Sequence, residues 1–502
     1  MSARAAGKWY EKYELWLVAV CIAVFAGLIL ASINRSSIWH DEGYSAVLIE
    51  NDYLGIVERT ALDVHPPLYY LLLKTWAIVF GDQIMTLRLF SAACMLGAIL
   101  VTWRIFRKLY GVKAGLVALA AMSMGAFLVR YGQEMRMYGL ASLLASLATF
   151  WYIKTYLGKQ SSAWQHVAYG LIVLAGMYTQ YFFVLVPAVH AFHYFFVHLN
   201  GSWLSRVKSL GPMLVGGLVA VLGFLPWLPT VQKQFSEVHG SFWIPKVGVE
   251  TLTSTPIAMT VFRKQFQMTG LYGLIAVLAL ILVVLLVYKF YVSKQDKVSR
   301  LLVVSIALPP VLLFVLSLPP MQPSYQDRYM SFMAPIFYGV LGVAALQIGR
   351  RWRYGSGLAL VAVASLLIYG QVSNFWDGNN HGWEPQPYFT MNSVIDQVED
   401  DSPVYATSLW TYFDARSTVR DRGMANQTQV LFNQYPTKWM GNWSAIYERP
   451  ELMITTIPEN VDALWLVDES GQNQYHGEEL SDFVEKQSYS AGYAKITRYI
   501  RK

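Results

Sequence analysis

A series of long apolar runs constrains this chain more than any other feature of its sequence. Many of them reach about 20 residues, the length that a helix needs to cross about 30 Å of hydrocarbon. Only 14% of the 502 residues are charged, whereas a soluble protein usually carries about 25%. We therefore predict a mainly α-helical, polytopic membrane protein. The first run, residues 15–33, is too long for a signal-peptide core, so no cleavable signal is expected.

The apolar runs predict a bundle of about eleven transmembrane helices. Their flanks give the orientation, because the loops that would be cytoplasmic with the N-terminus inside hold 18 of the 29 basic residues before position 373 and only three acids. An odd number of spans then places the C-terminal part outside the cell membrane. The predicted spans are residues 15–33, 86–106, 112–129, 135–156, 167–181, 182–199, 210–229, 271–292, 301–318, 329–348 and 358–371.

A shorter apolar run, residues 66–81, is treated differently. At about 15 residues it is short for a span. If it were counted as a span, the basic loop with Arg104, Arg107 and Lys108 would lie outside, against the bias of basic residues toward the cytoplasm. We predict a helix lying in the outer interface, because Pro66 and Pro67 suit a first helical turn. The first outer loop then extends from residue 34 to about residue 85.

The C-terminal residues 373–502 change character. They contain 10 basic and 18 acidic residues, whereas residues 1–372 contain 29 and 14. Strand-like runs (404–407, 463–467, 494–500) alternate with helix-like stretches (391–398, 478–485), which predicts a small extracytoplasmic α/β domain after a transmembrane catalytic domain, 1–372. The basic excess of the membrane part is explained by its loops, so nucleic-acid binding is not expected. Cys21 and Cys94 both lie in apolar runs, so neither predicts a disulfide.

Two adjacent carboxylates, Asp41 and Glu42, follow the first span. Apolar neighbours favour a short helix on the membrane, where partial desolvation raises the pKa of a carboxyl group and strengthens it as a base. Successive helical residues point in different directions, so only one of the two can face a given substrate atom. We predict Asp41 as the base, with Glu42 capping or positioning. The alternative is a polar loop with two solvated acids.

Asp63 and His65 follow in the same loop. His65 precedes a proline, which restricts it to an extended backbone. The imidazole either marks the helix entry in water, or binds substrate or a metal together with Asp63. An acid and a histidine could hold a divalent ion, although the spacing matches no specific metal motif. No obligatory cofactor or metal is predicted.

Residues 130–138, RYGQEMRMY, form a junction between two predicted spans on the outer side. Charges at such a depth are costly unless they are paired or face a water-filled cavity. Glu134 either pairs with one of the flanking arginines, or lies in a cavity where Arg136 binds an anion close to Tyr138.

A second outer junction, residues 324–329, reads SYQDRY. The planar guanidinium of Arg328 suits a phosphate, and the alternative is an interfacial anchor beside Tyr329. Acids and arginines thus recur on the outer side. The sequence carries no glycine-rich phosphate loop, dinucleotide fingerprint or nucleophile elbow. It therefore lacks the motifs that would indicate a soluble, nucleotide-dependent enzyme.

Together the motifs WHDEGYSA, HPPLYYLLLKTWAIVFG, TLRLFSA, YGQEMRMYGLAS and QDRYMSFMAP resemble the GT-C superfamily of membrane glycosyltransferases. The resemblance covers roughly residues 10–350 and is greatest to the protein O-mannosyltransferases and aminoarabinose transferases. It implies Asp41 as the catalytic carboxylate of an acidic pair with Glu42. A second family site falls near Glu134 and Arg136, where this chain has Gln-Glu-Met-Arg in place of the Leu-Asp of many relatives.

The resemblance also implies the reaction. Such enzymes transfer a sugar from a polyprenyl monophosphate carrier to an acceptor on the outer face of the membrane. Asp41 would take the proton of the acceptor hydroxyl, with inversion, while Arg136 and Arg328 stabilise the departing phosphate. The resemblance does not specify whether the acceptor is a glycan, a lipid or a protein. Two other classes compete: a transporter or flippase for a lipid-linked glycan, which usually shows internal repeats, and a non-enzymatic membrane receptor.

Overall fold

The computed structural model describes residues 9–158, 161–238, 244–262, 270–293, 296–348, 354–376, 390–425, 427–434, 441–469 and 475–502. The chain divides by its internal contacts into two units. The first unit comprises Met1–Leu30 and Ser91–Trp376, and the second comprises Ala31–Phe90 and Asp377–Lys502. The first predicted loop thus groups with the C-terminal residues, and the functional division into 1–372 and 373–502 stays a prediction.

Helices long and apolar enough to cross a membrane dominate the described residues. Eight qualify by length and composition, and a pair bent by 58°, Val112–Ser123 with Ala126–Gly132, would be a ninth. The eight are Glu14–Ser32, Ile84–Tyr110, Tyr181–His198, Gly211–Glu237, Gly270–Ser293, Lys297–Leu316, Asp327–Gln347 and Gly355–Phe375. The other two predicted spans are also helical, at Tyr138–Tyr156 and Ala163–Met177. The prediction of a helical bundle with about eleven apolar helices is therefore confirmed.

Small residues allow these helices to approach closely. A Cβ atom on Gly139 would lie 2.3 Å from the Ser91 carbonyl oxygen, and one on Gly339 would lie 2.3 Å from the Phe106 ring. Close approach of this kind lets helices in lipid pack by van der Waals contact, since water drives no association there. Shorter helices in the first unit are Trp9–Lys12, Trp203–Lys208 and Thr251–Thr260.

The second unit is built on a six-stranded sheet. Its strands are β1 Val404–Ala406, β2 Thr428–Leu431, β3 Met453–Ile454, β4 Ala463–Glu469, β5 Phe483–Ala491 and β6 Ala494–Arg501. The order is β3-β2-β1-β4-β6-β5. Strands β1 to β4 pair in parallel, while β6 pairs antiparallel with β4 and β5. The three predicted strands are confirmed as β1, β4 and β6.

The predicted C-terminal helices fare differently. Residues 391–398 overlap the helix Thr390–Ile395. Residues 478–485, predicted as a helix, instead form the 3-10 turn Glu478–Asp482 and the start of β5. Pairing with β6 outweighs the weak local helical pattern, because strand formation depends on cross-strand neighbours.

Three helices of the first loop belong to the second unit: His40–Leu48, Tyr53–Ala61 and Leu68–Phe80. The last begins directly after Pro67, as its sequence predicts. The first packs on the helix Leu409–Asp421, and a Cβ atom on Gly43 would lie 2.8 Å from the Cβ of Phe413. Glycine at position 43 therefore permits this contact. The interfacial placement of these helices in the membrane stays a prediction.

Candidate functional site

Asp41 and Glu42 lie in the first turn of the helix His40–Leu48. Glu42 is 1% exposed and accepts two hydrogen bonds from Arg88, with Nε 2.9 Å from Oε1 and Nη2 2.6 Å from Oε2. Two-pronged pairing of this kind fixes a carboxylate in orientation as well as in charge. Asp41 is half-buried. The two neighbouring acids thus have different surroundings, and Glu42 is held in place by an ion pair.

Arg88 also fixes the segment that leads into this helix. Its guanidinium donates to the carbonyl oxygens of Ile33 (2.5 Å), Ser36 (3.1 Å) and Ser37 (3.2 Å). One buried side chain therefore ties the end of the first span to the start of the Asp41 helix. The sequence reasoning did not select Arg88. A charge inside the apolar motif TLRLFSA was the available signal.

Asp414 is another residue that the sequence did not identify. It lies in the helix Leu409–Asp421, is 1% exposed, and accepts a hydrogen bond from the Tyr493 hydroxyl. Burial raises the pKa of Asp414 well above its ordinary value, and the nearby charges of Glu42 and Asp41 raise it further. The Tyr493 hydrogen bond opposes this shift only in part. The surroundings of Asp414 therefore favour the protonated form of its carboxyl group.

Asp414→Asn is expected to raise the melting temperature at pH 7 by a few degrees. The raised pKa means that the carboxyl contributes most to stability below its ordinary pKa of 3.8, and that this contribution is lost as the pH rises toward the folded-state value. Asparagine keeps an acceptor for Tyr493 without this loss. Thermal unfolding at pH 5 and pH 8 measures the difference. A variant with a lower melting temperature at both pH values would contradict a destabilising effect of the raised pKa of Asp414.

Asp63 and His65 come together, as the sequence suggested. The distance from His65 Nδ1 to Asp63 Oδ2 is 2.7 Å, and the side-chain exposures are 24% for the histidine and 2% for the aspartate. The acid is thus buried while the imidazole edge reaches the surface. Within the described residues, no group of three or more His, Cys, Asp and Glu side chains could hold a metal ion. A divalent ion at the Asp63–His65 pair stays an untested alternative.

The first predicted junction in the helical unit is buried and charged. Arg130 Nη2 lies 3.2 Å from Glu134 Oε1, and both side chains are about 5–6% exposed. The structure therefore contains one of the two ion pairs that the sequence offered. Arg136 is 2% exposed, and its carbonyl oxygen accepts from the Ser91 hydroxyl at 3.2 Å.

The second junction leads into the 3-10 helix Asp327–Met333, and both of its charged residues, Asp327 and Arg328, contact neighbouring side chains. Asp327 Oδ1 accepts from the hydroxyls of Ser254 and Thr255, each at 2.8 Å. The Arg328 guanidinium carbon lies 5.8 Å from the ring centroid of Tyr329, and that ring stacks on Phe182 with centroids 5.0 Å apart. Arg328 is itself half-buried.

The two junctions meet around a pair of tyrosines. The rings of Tyr131 and Tyr138 are 5.3 Å apart. The Tyr138 hydroxyl interacts electrostatically with Arg136 and Arg328, and also with Glu134 and Tyr329. Five of the predicted site residues therefore share one neighbourhood: Glu134, Arg136, Tyr138, Arg328 and Tyr329.

Among the residues that the structure describes, arginines outnumber carboxylates in this neighbourhood. Tyr131 interacts with Arg130, Arg328, Glu134 and Asp327. Among the described residues, three arginines and two carboxylates therefore lie within electrostatic range of the tyrosine pair. An excess of guanidinium groups that are shielded from water favours an anion, and their planar donors match phosphate oxygens. We call Arg130, Glu134, Arg136, Asp327 and Arg328 the arginine cluster.

Comparisons with known proteins identify a related family model and similar folds. The family model described as dolichyl-phosphate-mannose-protein mannosyltransferase matches residues 64–229. Among solved structures, ArnT from Cupriavidus metallidurans in the apo state has a TM-score of 0.59 at 12% identity, covering 97% of this chain and 98% of that chain. The same protein bound to undecaprenyl phosphate has a TM-score of 0.57 at 12% identity, with the same coverage.

A third structural match is the Archaeoglobus fulgidus oligosaccharyltransferase in the apo form. Its TM-score is 0.52 at 12% identity, covering 92% of this chain and 70% of that chain. No curated protein matches this chain by sequence. Similarities at this level of identity establish the fold alone. The comparisons confirm the resemblance that the motifs carry: this chain is a multi-pass membrane protein with a fold similar to those of ArnT and the Archaeoglobus fulgidus oligosaccharyltransferase.

Proposed function

We propose that this protein transfers a sugar from a polyprenyl-phosphate-sugar donor to an acceptor hydroxyl, with inversion and with Asp41 as the general base. The arginine cluster is the observation that carries the proposal, because its described residues are buried or half-buried, include three arginines and two carboxylates, and suit a phosphate. The structure of ArnT with undecaprenyl phosphate supports a polyprenyl phosphate as the ligand class. The description of the family model supports a mannosyl-type donor.

The donor supplies its own leaving group. As the acceptor oxygen bonds to the anomeric carbon, the bond from that carbon to the phosphate oxygen breaks and polyprenyl monophosphate departs with the electron pair. Arg136 and Arg328 stabilise the charge that grows on the phosphate, as fixed donors do in other transferase sites. Tyr138 and Tyr329 line the same neighbourhood and position the head group.

Asp41 takes the proton of the acceptor hydroxyl. It is half-buried in the first turn of its helix, so its carboxylate is partly shielded from water. Glu42 has a different task, because both of its oxygens are engaged by Arg88. Glu42 therefore holds the turn in place. The Asp63–His65 pair contributes a partly exposed imidazole for substrate hydroxyls.

The proposed setting follows from the charge bias of the loops. The N-terminus lies in the cytoplasm, and the first loop and C-terminal sheet lie outside the plasma membrane. The protein then binds both the donor lipid and the acceptor on the outer face of the membrane. Surrounding lipid and a glycan, lipid or protein acceptor are the expected partners.

A donor panel tests the proposal. Purified protein in lipid nanodiscs is given polyprenyl-phosphate mannose, glucose and aminoarabinose in turn, each with a mixture of glycan, glycolipid and peptide acceptors, and mass spectrometry follows free polyprenyl monophosphate. At least one donor is expected to yield it. In parallel vesicles, movement of an intact lipid-linked sugar between leaflets without its consumption would instead indicate a flippase.

Arg328→Gln is expected to weaken donor binding about tenfold or more, since a hydrogen bond to a charged group contributes about 1.5–3 kcal/mol. The KM for the donor should rise accordingly. Arg206→Gln is the matched control, because Arg206 donates to the Gly201 carbonyl at 3.1 Å and lies outside the cluster. Equal KM values for both variants would remove Arg328 from the phosphate site.

A further inference from the structure

A cavity of about 730 Å³ opens within the second unit. Residues 407–410 follow β1, residues 432–434 follow β2, and Glu469 ends β4, and all of them line it. The cavity therefore lies at the carboxyl ends of three parallel strands. Neither the family resemblance nor the proposed reaction assigns this site.

The strand order explains why a cavity forms there. From β1 the chain continues to β2 and β3 on one side of the sheet, then returns to place β4 on the other side of β1. In open α/β sheets, ligands bind in the crevice outside the carboxyl ends of the strands where the order reverses in this way. The helix Leu409–Asp421 leaves β1 at this crevice.

Aromatic rings form part of the wall. Trp410 is 56% exposed and stacks on His40 with ring centroids 3.6 Å apart. The rings of Phe432 and Trp443 lie 4.8 Å apart. A tryptophan left this exposed in a cavity offers an apolar face to a flat ligand while its surroundings supply polar contacts.

Amide and carboxylate groups form the polar part of the wall. Asn433, Gln434 and Asn442 line the cavity, and Asn442 also hydrogen-bonds to His40. Side-chain amides donate and accept, so they match ligand hydroxyl groups of either role. The described lining includes Glu469 but no lysine or arginine. The negative charge of Glu469 disfavours a phosphorylated ligand, and the amides suit a neutral, hydroxyl-rich one.

We infer that this cavity binds the carbohydrate part of the acceptor, a neutral saccharide whose ring stacks on Trp410. The inference rests on the proposed function and narrows its acceptor to a glycan or glycolipid. His40 lines the cavity and directly precedes Asp41, so the Cα atoms of the two residues are about 3.8 Å apart. A sugar bound there lies against the same helical turn as the proposed base.

Saturation-transfer NMR on the full-length protein in nanodiscs tests the inference without any donor. The probes are four neutral disaccharides (maltose, cellobiose, mannobiose and chitobiose), glucose 1-phosphate, and an unglycosylated Ser/Thr-rich peptide. At least one disaccharide is expected to bind, and Trp410→Ala should weaken it about tenfold. Gln434→Ala, an exposed position, is expected to weaken it about threefold. Tyr489→Ala, an exposed aromatic on β5 outside the cavity, should bind as the wild type does.

The outcomes separate this inference from the proposed function. Disaccharide binding that depends on Trp410 supports the cavity even if no donor is consumed. Consumption of a donor together with no Trp410-dependent binding of any disaccharide overturns the cavity and leaves the transferase standing. Stronger binding of glucose 1-phosphate or of the peptide at this cavity also overturns it.

Discussion

Asp41→Asn is expected to lower the rate of sugar transfer at least about a hundredfold, because general-base catalysis typically contributes about 10²–10⁴-fold. Asparagine has nearly the same shape but cannot accept the proton of the acceptor hydroxyl. Initial rates of polyprenyl monophosphate release at saturating donor and acceptor measure the effect. The change should appear in kcat, since the base acts in the transition state.

The matched control for this variant is Asp401→Asn, an exposed aspartate in the second unit. Its transfer rate should equal that of the wild type. Melting temperatures of both variants should lie within about 2 °C of the wild type, which shows that neither substitution disrupts the fold. A folded Asp41→Asn protein with near-normal turnover would exclude Asp41 as the base.

Arg88→Met should lower the free energy of unfolding by about 3–5 kcal/mol, the usual cost of removing one partner from a buried ion pair. Arg88 is 3% exposed and Glu42 is 1% exposed, so methionine leaves a buried carboxylate uncompensated. Three backbone carbonyl oxygens lose a donor as well. Thermal or denaturant unfolding of the purified protein measures the loss.

Two further variants identify the cause. Arg88→Met combined with Glu42→Gln should recover part of the lost stability, because the stranded charge is then gone. Arg422→Met breaks a 2.7 Å pair with Asp396 whose side chains are 29% and 57% exposed, so it should cost less than about 1 kcal/mol. Equal losses in the single and double Arg88 variants would show that the charge of Glu42 does not matter.

Helices and charged junctions were predictable because their signals are local. The apolar runs alone predict each long helix, and Pro66 and Pro67 mark where Leu68–Phe80 begins. Arg136 and Arg328 could be predicted as site residues because each is a charged residue within an apolar part of the sequence. The sequence also placed them at two helix junctions, and the structure brings both junctions to one tyrosine pair.

Other parts of the site depend on contacts between distant residues. Arg88 and Glu42 are 46 positions apart, and no local pattern links them. Asp414 sits in an ordinary amphipathic helix, so only burial against Gly43 and Tyr493 reveals its raised pKa. The cavity at the ends of β1, β2 and β4 requires the strand order, which single strands in the sequence do not encode.

The arginine cluster is the central claim, and a structure of the protein with undecaprenyl monophosphate bound tests it most directly. The account predicts phosphate oxygens within hydrogen-bonding distance, about 2.7–3.2 Å, of the guanidinium groups of Arg136 or Arg328. Those contacts should disappear in Arg328→Gln, or persist only at Arg136. A phosphate bound elsewhere in the wild-type protein, with both arginines contacting protein atoms alone, would contradict it.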